Sequence, residues 1–543
     1  MSIDVGREVE IPARLVAGQV LYRDVATYYG PLAYYVNALA LLVFGHSLEV
    51  FYTVGLVLAL AATLLFYRLA KRLTNARWAV LCTLCMLIYC ALGPGLFNFI
   101  LPYSYGAVYA TVLCLLAFTA LDRYGYKGKV GWLIAAAITC GLAGLAKQEY
   151  GVAALGGVLV GANIYSPQNL RTRLGRSVLV IVVASACVLI PLALLAQQVS
   201  WEKLYLSLLA ISKVGVLNRS QVFQVSPIKT LYKWLATFII FAAASLVVWS
   251  SMLAAHWLSK LSGIPRPKWL RVIVEVLISV ASAWLGLFLL SESVFSHKGN
   301  AAIFHPLGDM SWFLPVSVGL LAFYQPKLTR HRHASLLWTL LVFSLLLNAR
   351  WLFYINFYGL YAMPVVLLFF TLLYHLTQRT GASVWRYLLV CLLISGSVKL
   401  GELANYRYSV HSSHGSFYTK DAALAHAFNQ TIKAINASGA ASVLVLPEGS
   451  ILTFMTATHS PSREITFLPA VLSTTKDERE FLESMKTNPP DLIVYIYRSF
   501  GEWGYQTYAD FNPLVDRWIT QEHRLVDSFP MDKGTTRIYA RKQ

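Results

Sequence analysis

Acidic side chains are scarce. The chain has 26 Asp and Glu against 45 Lys and Arg, and charged residues of every kind fill only 13% of its 543 positions. A soluble domain carries about 25% charge, so a sequence this poor in charge cannot dress itself in a hydrated surface. A hydrophobic content of 57% and a mean hydropathy of +0.57 complete the exclusion, and the chain reads as an integral membrane protein. Cysteine is missing from every polar stretch. All seven (Cys82, Cys85, Cys90, Cys114, Cys140, Cys187 and Cys391) fall in apolar runs, which excludes a disulfide framework. Cys82 and Cys85 form a C-x-x-C with no second ligand pair and read as small packing residues. There is no signal peptide ahead of the first apolar span. No Gly-rich phosphate loop occurs in the polar C-terminal part, so no nucleotide is assigned to it; Pro447-Glu448-Gly449 is a single turn after a strand. The net charge of +19 would suit nucleic acid in a soluble protein. Here the Lys and Arg gather in short runs between apolar spans, as they do at cytoplasmic membrane edges, and no nucleic-acid partner is expected.

What is present is a series of long apolar runs. A bilayer core needs about 20 apolar residues per helix. On that rule spans are expected near 48–71, 78–97, 104–122, 131–147, 150–165, 178–197, 235–258, 272–290, 311–325, 335–349, 357–374 and 386–403, about twelve in all. The connecting runs that hold Arg68, Lys71, Arg72 and Arg77, Arg123, Lys127 and Lys129, Arg171, Arg173 and Arg176, Lys260 to Arg271, Lys327 to His333, and Arg379 with Arg386 all fall on one side. The positive-inside rule makes that side cytoplasmic. Residues 1–47 and 98–103, the turn at Lys147-Gln148-Glu149, the loops 198–234 and 291–310, the turn at Arg350 and everything after 404 then lie outside. An external N-terminus with no span to carry it across predicts one further apolar helix ahead of Met1 in the natural product. The 198–234 loop, with Trp201 and Tyr205 among lysines, is expected to lie along the membrane surface as amphipathic helix.

Three parts follow: an extracytoplasmic loop with interfacial helices at 1–47, a transmembrane region at 48–404, and a small extracytoplasmic α/β domain at 405–543. In the last, Val443–Leu446 and Leu492–Ile496 read as buried strands, each preceded by a helix, near 421–437 and 476–487. Asn488-Pro489-Pro490 ends the second of these helices, and the pattern is of βαβ type.

Candidate chemistry concentrates in the first loop. Asp4 and Glu8 are spaced i, i+4, with Arg7 on a neighbouring edge. The plain reading of such a turn is a solvated ion pair. Charge set directly before apolar spans points instead to a site, as do the aromatic segments Tyr22-Arg23-Asp24 and Tyr28-Tyr29-Gly30-Pro31-Leu32 that follow. An external D-x-x-R, then G-x-x-L-Y-R-D, then Y-G-P-L-x-Y-Y, then many spans and a terminal soluble domain, resembles the GT-C membrane glycosyltransferases, among them the protein O-mannosyltransferases and the bacterial aminoarabinose transferases. The resemblance covers the whole architecture, and its residue-level match lies in positions 4–45 and around Lys147.

The resemblance implies a polyprenyl-phosphate sugar donor, a lipid, glycan or protein acceptor, and the bacterial cytoplasmic membrane. It implies Asp4 as the general base on the acceptor hydroxyl, with Asp24 as the alternative and Glu8 beside it. One carboxylate suffices, because a polyprenyl phosphate leaves as a stabilised anion and only the incoming hydroxyl must lose a proton. Direct displacement would invert the anomeric centre. Charge developing on the donor phosphate calls for cations. The resemblance implies Lys147, whose plain reading is a snorkelling lysine paired with Glu149; Arg350 and Arg7 are the other candidates. Arg350 reads equally as an interfacial anchor. Tyr28, Tyr29 and Tyr354 are the expected cleft aromatics. No cofactor is assigned. A divalent metal stays open without a ligand set, since His297, His305 and Asp309 match no defined spacing. The aminoarabinose transferases have Glu-Lys before Pro-Pro-Leu; this chain has Tyr28-Tyr29-Gly30-Pro31-Leu32, which carries over neither their second lysine nor their sugar. The competing class is a transporter or flippase of lipid-linked saccharides. It should place ionisable groups at mid-membrane, whereas the candidates here sit at span ends. A membrane-anchored binding module, with the C-terminal domain as its working part, lacks any cofactor signature. Asn218, Asn429 and Asn436 head N-x-S/T triplets.

Overall fold

A computed structural model describes residues 3–91, 98–164, 169–209, 313–328, 333–349, 359–380, 384–469, 471–501 and 504–542, with scattered positions between 226 and 243. The expected span at 272–290, nearly all of that at 235–258, and Arg350, Tyr354, Asn218, His297, His305 and Asp309 lie outside the described residues.

The helices in chain order are α1 (Ile3–Val16), α2 (Leu32–Phe44), α3 (Leu48–Leu73), α4 (Ala76–Met86), α5 (Tyr105–Lys127), α6 (Val130–Ala146), α7 (Gln148–Ile164), α8 (Leu170–Leu195) and α9 (Trp201–Leu209). After these come α10 (Phe313–Leu328), α11 (Ala334–Leu347), α12 (Gly359–Thr380) and α13 (Val384–Ala404). Among the described residues, α3, α5 and α8 are long and apolar enough to cross a membrane by length and composition. Of the shorter apolar helices, Ala76–Cys90, Val130–Ala146, Ala334–Leu347 and Met363–Gln378 overlap expected spans, whereas Leu32–Phe44 lies in the stretch 1–47 that was expected to be a loop with interfacial helices.

Their starts follow from capping chemistry. Ser47 accepts the Glu49 amide at the head of α3, and Ser104 accepts the Ala107 amide at the head of α5. Along α3 one face buries Phe51, Ala59, Ala62, Phe66 and Leu69, while the opposite face exposes Leu56, Val57, Leu60 and Leu64. An apolar face on both sides is what a helix needs when its outer neighbour is lipid. At one end of the bundle three of the basic runs converge: Arg72 donates to Asp122 at 3.0 Å, and His333 lies 3.6 Å from the same carboxylate.

The C-terminal region opens with a hairpin of β1 (Tyr408–Ser412) and β2 (Gly415–Thr419). It then runs α14 (Ala422–Ser438), β3 (Val443–Leu446), α15 (Ile451–Thr456), α16 (Thr475–Thr487), β4 (Leu492–Tyr497), α17 (Pro513–Glu522), β5 (His523–Met531) and β6 (Gly534–Arg541). The sheet order is β3-β4-β6-β5. β3 and β4 pair in parallel, as the βαβ reading requires, and β6 and β5 extend the sheet antiparallel. Strand alternation sorts the core into two layers. Val443, Val445, Val494 and Ile496 face α14 and α15, while Leu444, Leu446, Ile493 and Tyr495 face α16 and α17.

The first of these layers does not stop at the domain edge. Ile451, Leu452 and Phe454 of α15 share one buried cluster with Val9 of α1, Ala33 and Leu41 of α2, Leu48 and Phe51 of α3, and Tyr105 of α5. The hairpin is tied to the same place: the Leu48 amide donates to the His414 carbonyl at 2.9 Å, and the Tyr52 hydroxyl to the Ser416 carbonyl at 2.8 Å. The first loop is therefore packed between the helical bundle and the C-terminal sheet.

Candidate functional site

Helix α1 is buried on its polar side as well as its apolar one. Val5, Val9 and Ile11 are covered, but so are Arg7, Glu8, Glu10 and Arg14. Each buried ion costs several kcal/mol unless it is paired and hydrogen-bonded, so each of these four must have an identifiable environment.

Glu8 is fully buried and surrounded by donors. Its Oε1 accepts from Arg7 Nε at 3.2 Å and from the Tyr34 hydroxyl at 3.1 Å; its Oε2 accepts from the Tyr105 amide at 2.6 Å. Burial pushes the Glu8 carboxyl above the ordinary carboxylate range, against the pull of Arg7 and of these hydrogen bonds. Tyr105 begins α5, so this carboxylate ties α1 to α2 and to the head of α5.

Arg7 continues from Glu8 into a cationic pocket. Its Nη2 donates to the Tyr103 carbonyl at 2.7 Å, and its guanidinium lies 4.7 Å from the centre of the Tyr29 ring. Lys147 reaches the same two tyrosines from the bundle. Its Nζ donates to the Tyr103 hydroxyl at 2.7 Å and lies 4.5 Å from the Tyr29 ring centre. The Lys147 side chain is 1% exposed and pairs with Glu149 at 3.7 Å. A snorkelling lysine carries its ammonium to water; this one buries it against two aromatic rings.

Local sequence explains the placement. At Lys147 the backbone turns extended between α6 and α7, which lifts its side chain out of both helices. The Tyr28–Pro31 segment lies directly on this turn. A Cβ at Gly30 would sit 2.0 Å from the Leu145 carbonyl oxygen, so only glycine permits the approach. The segment is fastened by Gln148, whose Nε2 donates to the Tyr28 carbonyl at 3.2 Å, and by the Tyr22 hydroxyl, which donates to the Tyr29 carbonyl at 2.7 Å. Tyr29 is thereby held over both cations.

The family described as dolichyl-phosphate-mannose-protein mannosyltransferase matches residues 29–201. That stretch holds Tyr29, Tyr103 and Lys147, and begins after α1. Among solved structures, the oligosaccharyltransferase of Archaeoglobus fulgidus, solved with zinc and sulfate, aligns over 97% of this chain and 75% of its own at 12% identity and a TM-score of 0.50. ArnT of Cupriavidus metallidurans bound to undecaprenyl phosphate aligns over 99% of this chain and 93% of its own at 14% identity and a TM-score of 0.41. The chain shares the fold of the archaeal oligosaccharyltransferase. A search of curated protein sequences finds no match.

Within this fold the expected residues separate into groups. Arg7, Glu8, Tyr29 and Lys147 meet in one buried cluster. Tyr28 contributes its carbonyl to the Gln148 contact that seats the loop. Asp4 lies in the first turn of α1, one turn ahead of Glu8, and its side chain lies outside the described residues. Asp24 is placed on a half-exposed turn, where its carboxylate accepts from Arg23 at 3.0 and 2.9 Å and from the Val20 amide at 2.8 Å. The Arg23 side chain holds the Asp24 carboxyl below the usual range. Among the described residues no group of three or more His, Cys, Asp or Glu is arranged to hold a metal ion.

Sequence reasoning passed over Tyr103, Tyr34 and Glu10. Tyr103 stands in the short turn before α5, and an aromatic at the end of an apolar run reads as an interfacial anchor. Only its contact with Lys147 gives it a different meaning.

Proposed function

We propose that this protein is an inverting glycosyltransferase that moves a sugar from a polyprenyl-phosphate donor to a hydroxyl of a lipid, glycan or protein acceptor, at the outer face of the bacterial cytoplasmic membrane. The observation that carries this reading is the joint seating of Arg7 and Lys147 on Tyr29 and Tyr103, beside the turn of α1 that bears Asp4. Two buried cations and a phenol hydroxyl form a site for an anion that gains charge as its bond to the sugar breaks. The phosphate needs no proton when it leaves. The acceptor hydroxyl must lose one, and in this reading Asp4 takes it. Glu8, enclosed by three donors, is an anchor for Arg7 and for the head of α5 rather than the base.

The arrangement supports an enzyme over a flippase, because the cations cluster at helix ends beside the first loop. The bound undecaprenyl phosphate of ArnT is consistent with a lipid-phosphate donor here.

The deciding experiment incubates the purified full chain with a panel of radiolabelled polyprenyl-phosphate sugars and a membrane extract as acceptor. Transfer that is lost in Asp4→Asn and in Lys147→Ala supports the reading. Transfer that survives intact in both variants removes this pocket from the chemistry.

A further inference from the structure

Glu10 is a charged residue of α1 that the proposed chemistry does not use, and it is 2% exposed. Its Oε2 lies 2.7 Å from the hydroxyl oxygen of Thr453 on α15. That same hydroxyl oxygen lies 2.5 Å from the Ser450 carbonyl oxygen. A threonine hydroxyl has one proton to give. If Thr453 gives it to an ionised Glu10, two bare oxygens face each other at the Ser450 carbonyl. If Thr453 gives it to Ser450, two bare oxygens face each other at Glu10. One additional hydrogen resolves both contacts: a protonated Glu10 donates from Oε2 to Thr453, and Thr453 donates to Ser450. The other Glu10 oxygen, Oε1, is buried with no hydrogen-bond partner among the described residues. An unpartnered oxygen of a neutral acid costs far less than one of a carboxylate.

We infer that Glu10, Thr453 and Ser450 form a proton-held latch that fixes α1 to the C-terminal domain and releases it when Glu10 ionises. The seam is close enough for this. A Cβ at Gly6 would meet the Ser450 Oγ at 2.6 Å and the Ile451 amide nitrogen at 2.7 Å, so α1 presses its backbone on the head of α15.

The charges around the latch do not substitute for the proton. Arg14, one turn further along α1, donates to Gln19 at 2.6 Å and to the Asp24 carbonyl at 3.0 Å, while its Nη1 is buried with no hydrogen-bond partner among the described residues, and it reaches Glu10 only through its field. Asp24 and Glu464 lie beyond Arg14, and Arg463 donates to the Tyr22 carbonyl. On the other packed elements, α2 presents Tyr34 and Tyr35, and α15 has no titratable side chain, with His46 stacked on its Phe454. Burial pushes the Glu10 carboxyl up to about 7, against the pull of Arg14 and Thr453. The latch therefore closes on the acid side of neutrality and opens on the alkaline side. Its consequence for catalysis rests on the proposed function, since α1 carries Arg7 and Asp4; the latch itself does not.

The test is amide hydrogen exchange of residues 3–16 in the full chain in detergent micelles, corrected for intrinsic rates and followed from pH 5 to pH 9. In the wild-type chain, corrected exchange should rise by up to about tenfold per pH unit between pH 5 and about 7 and level off above, as one proton demands. Glu10→Gln keeps the shape, supplies a permanent N–H donor to Thr453, and should exchange slowly at every pH. Thr453→Val should exchange fast at every pH, and Thr453→Ser should restore the wild-type profile. A flat wild-type profile, or a Glu10→Gln profile that climbs like the wild type, overturns the latch. If Glu10→Gln does not fold, the valine and serine pair decides alone: equal exchange in both also overturns it. No sugar transfer enters this readout, so the latch and the transferase reading fail separately.

Discussion

Arg7 and Lys147 lie on one aromatic ring. The guanidinium of the first helix and the ammonium of the α6–α7 turn sit 4.7 and 4.5 Å from the centre of Tyr29. Two like charges in a buried setting repel; Glu8, 3.2 Å from Arg7, and Glu149, 3.7 Å from Lys147, offset part of that repulsion, and a bound anion would offset more.

Lys147→Ala should cost about 2–4 kcal/mol of transition-state stabilisation, a fall of about 30- to 1,000-fold in kcat/KM for the sugar donor. Lys147→Arg should recover part of it, because the charge returns but the fit against Tyr29 and the Tyr103 hydroxyl does not. Steady-state kinetics with a polyprenyl-phosphate sugar measure both. An unchanged kcat/KM in the alanine variant would remove Lys147 from donor binding.

The two candidate bases separate cleanly. Asp24 is held ionised by Arg23 and caps the Val20 turn, and a carboxylate with a depressed pKa is a weak base. Asp24→Asn should loosen the turn by about 1 kcal/mol and leave transfer near the wild-type rate. Asp4→Asn should abolish transfer while donor binding, measured by isotope retention on the purified protein, persists. The opposite pattern would move the base to Asp24.

Much of this architecture was legible in the sequence, and the reason is physical. Hydrophobic length locates membrane helices without tertiary information, and α3, α5, α6, α7 and α11 lie close to the runs that length alone marked out. Val443–Leu446 and Leu492–Tyr497 declared themselves as continuous apolar runs because both faces of each strand are covered. β5 did not, because most of its residues are exposed, and polar and apolar ones mix along it without a continuous apolar run, and neither did its partner β6. In the site, Lys147 stood out as a charge between two apolar runs. Tyr103 and Glu10 did not, because what distinguishes them is a partner far away in the chain: Lys147 for the one, Thr453 for the other.

Burial of the α1 carboxylates also sets the direction of pH dependence. The folded-state pKa of Glu10 is raised from 4.5 to about 7, so the native chain holds the proton more tightly than the unfolded one. The favourable balance is complete below the unfolded value and is lost as pH rises through the folded one, by about 3 kcal/mol in total. Thermal unfolding followed between pH 5 and pH 8 should show the midpoint falling with pH. Glu10→Gln should reduce that fall, leaving the part due to Glu8, whose shift has the same direction. A wild-type midpoint that rises with pH would contradict the assignment.

Gly30 gives the sharpest separation of folding from function. A methyl group there would sit 2.0 Å from the Leu145 carbonyl oxygen, and backbone on both sides of the contact leaves nothing flexible to yield. Gly30→Ala should push the Tyr28–Pro31 segment away from the end of α6, breaking the Gln148 contact to the Tyr28 carbonyl and lifting Tyr29 off Lys147. The helical bundle, whose core lies elsewhere, should persist. Expression and far-ultraviolet dichroism should therefore stay close to those of the wild type, while kcat/KM for the donor falls by at least tenfold, about 1.4 kcal/mol. The variant isolates the role of the aromatic cover: normal transfer by a well-folded Gly30→Ala protein would show that Tyr29 need not rest on the two cations for the reaction to proceed.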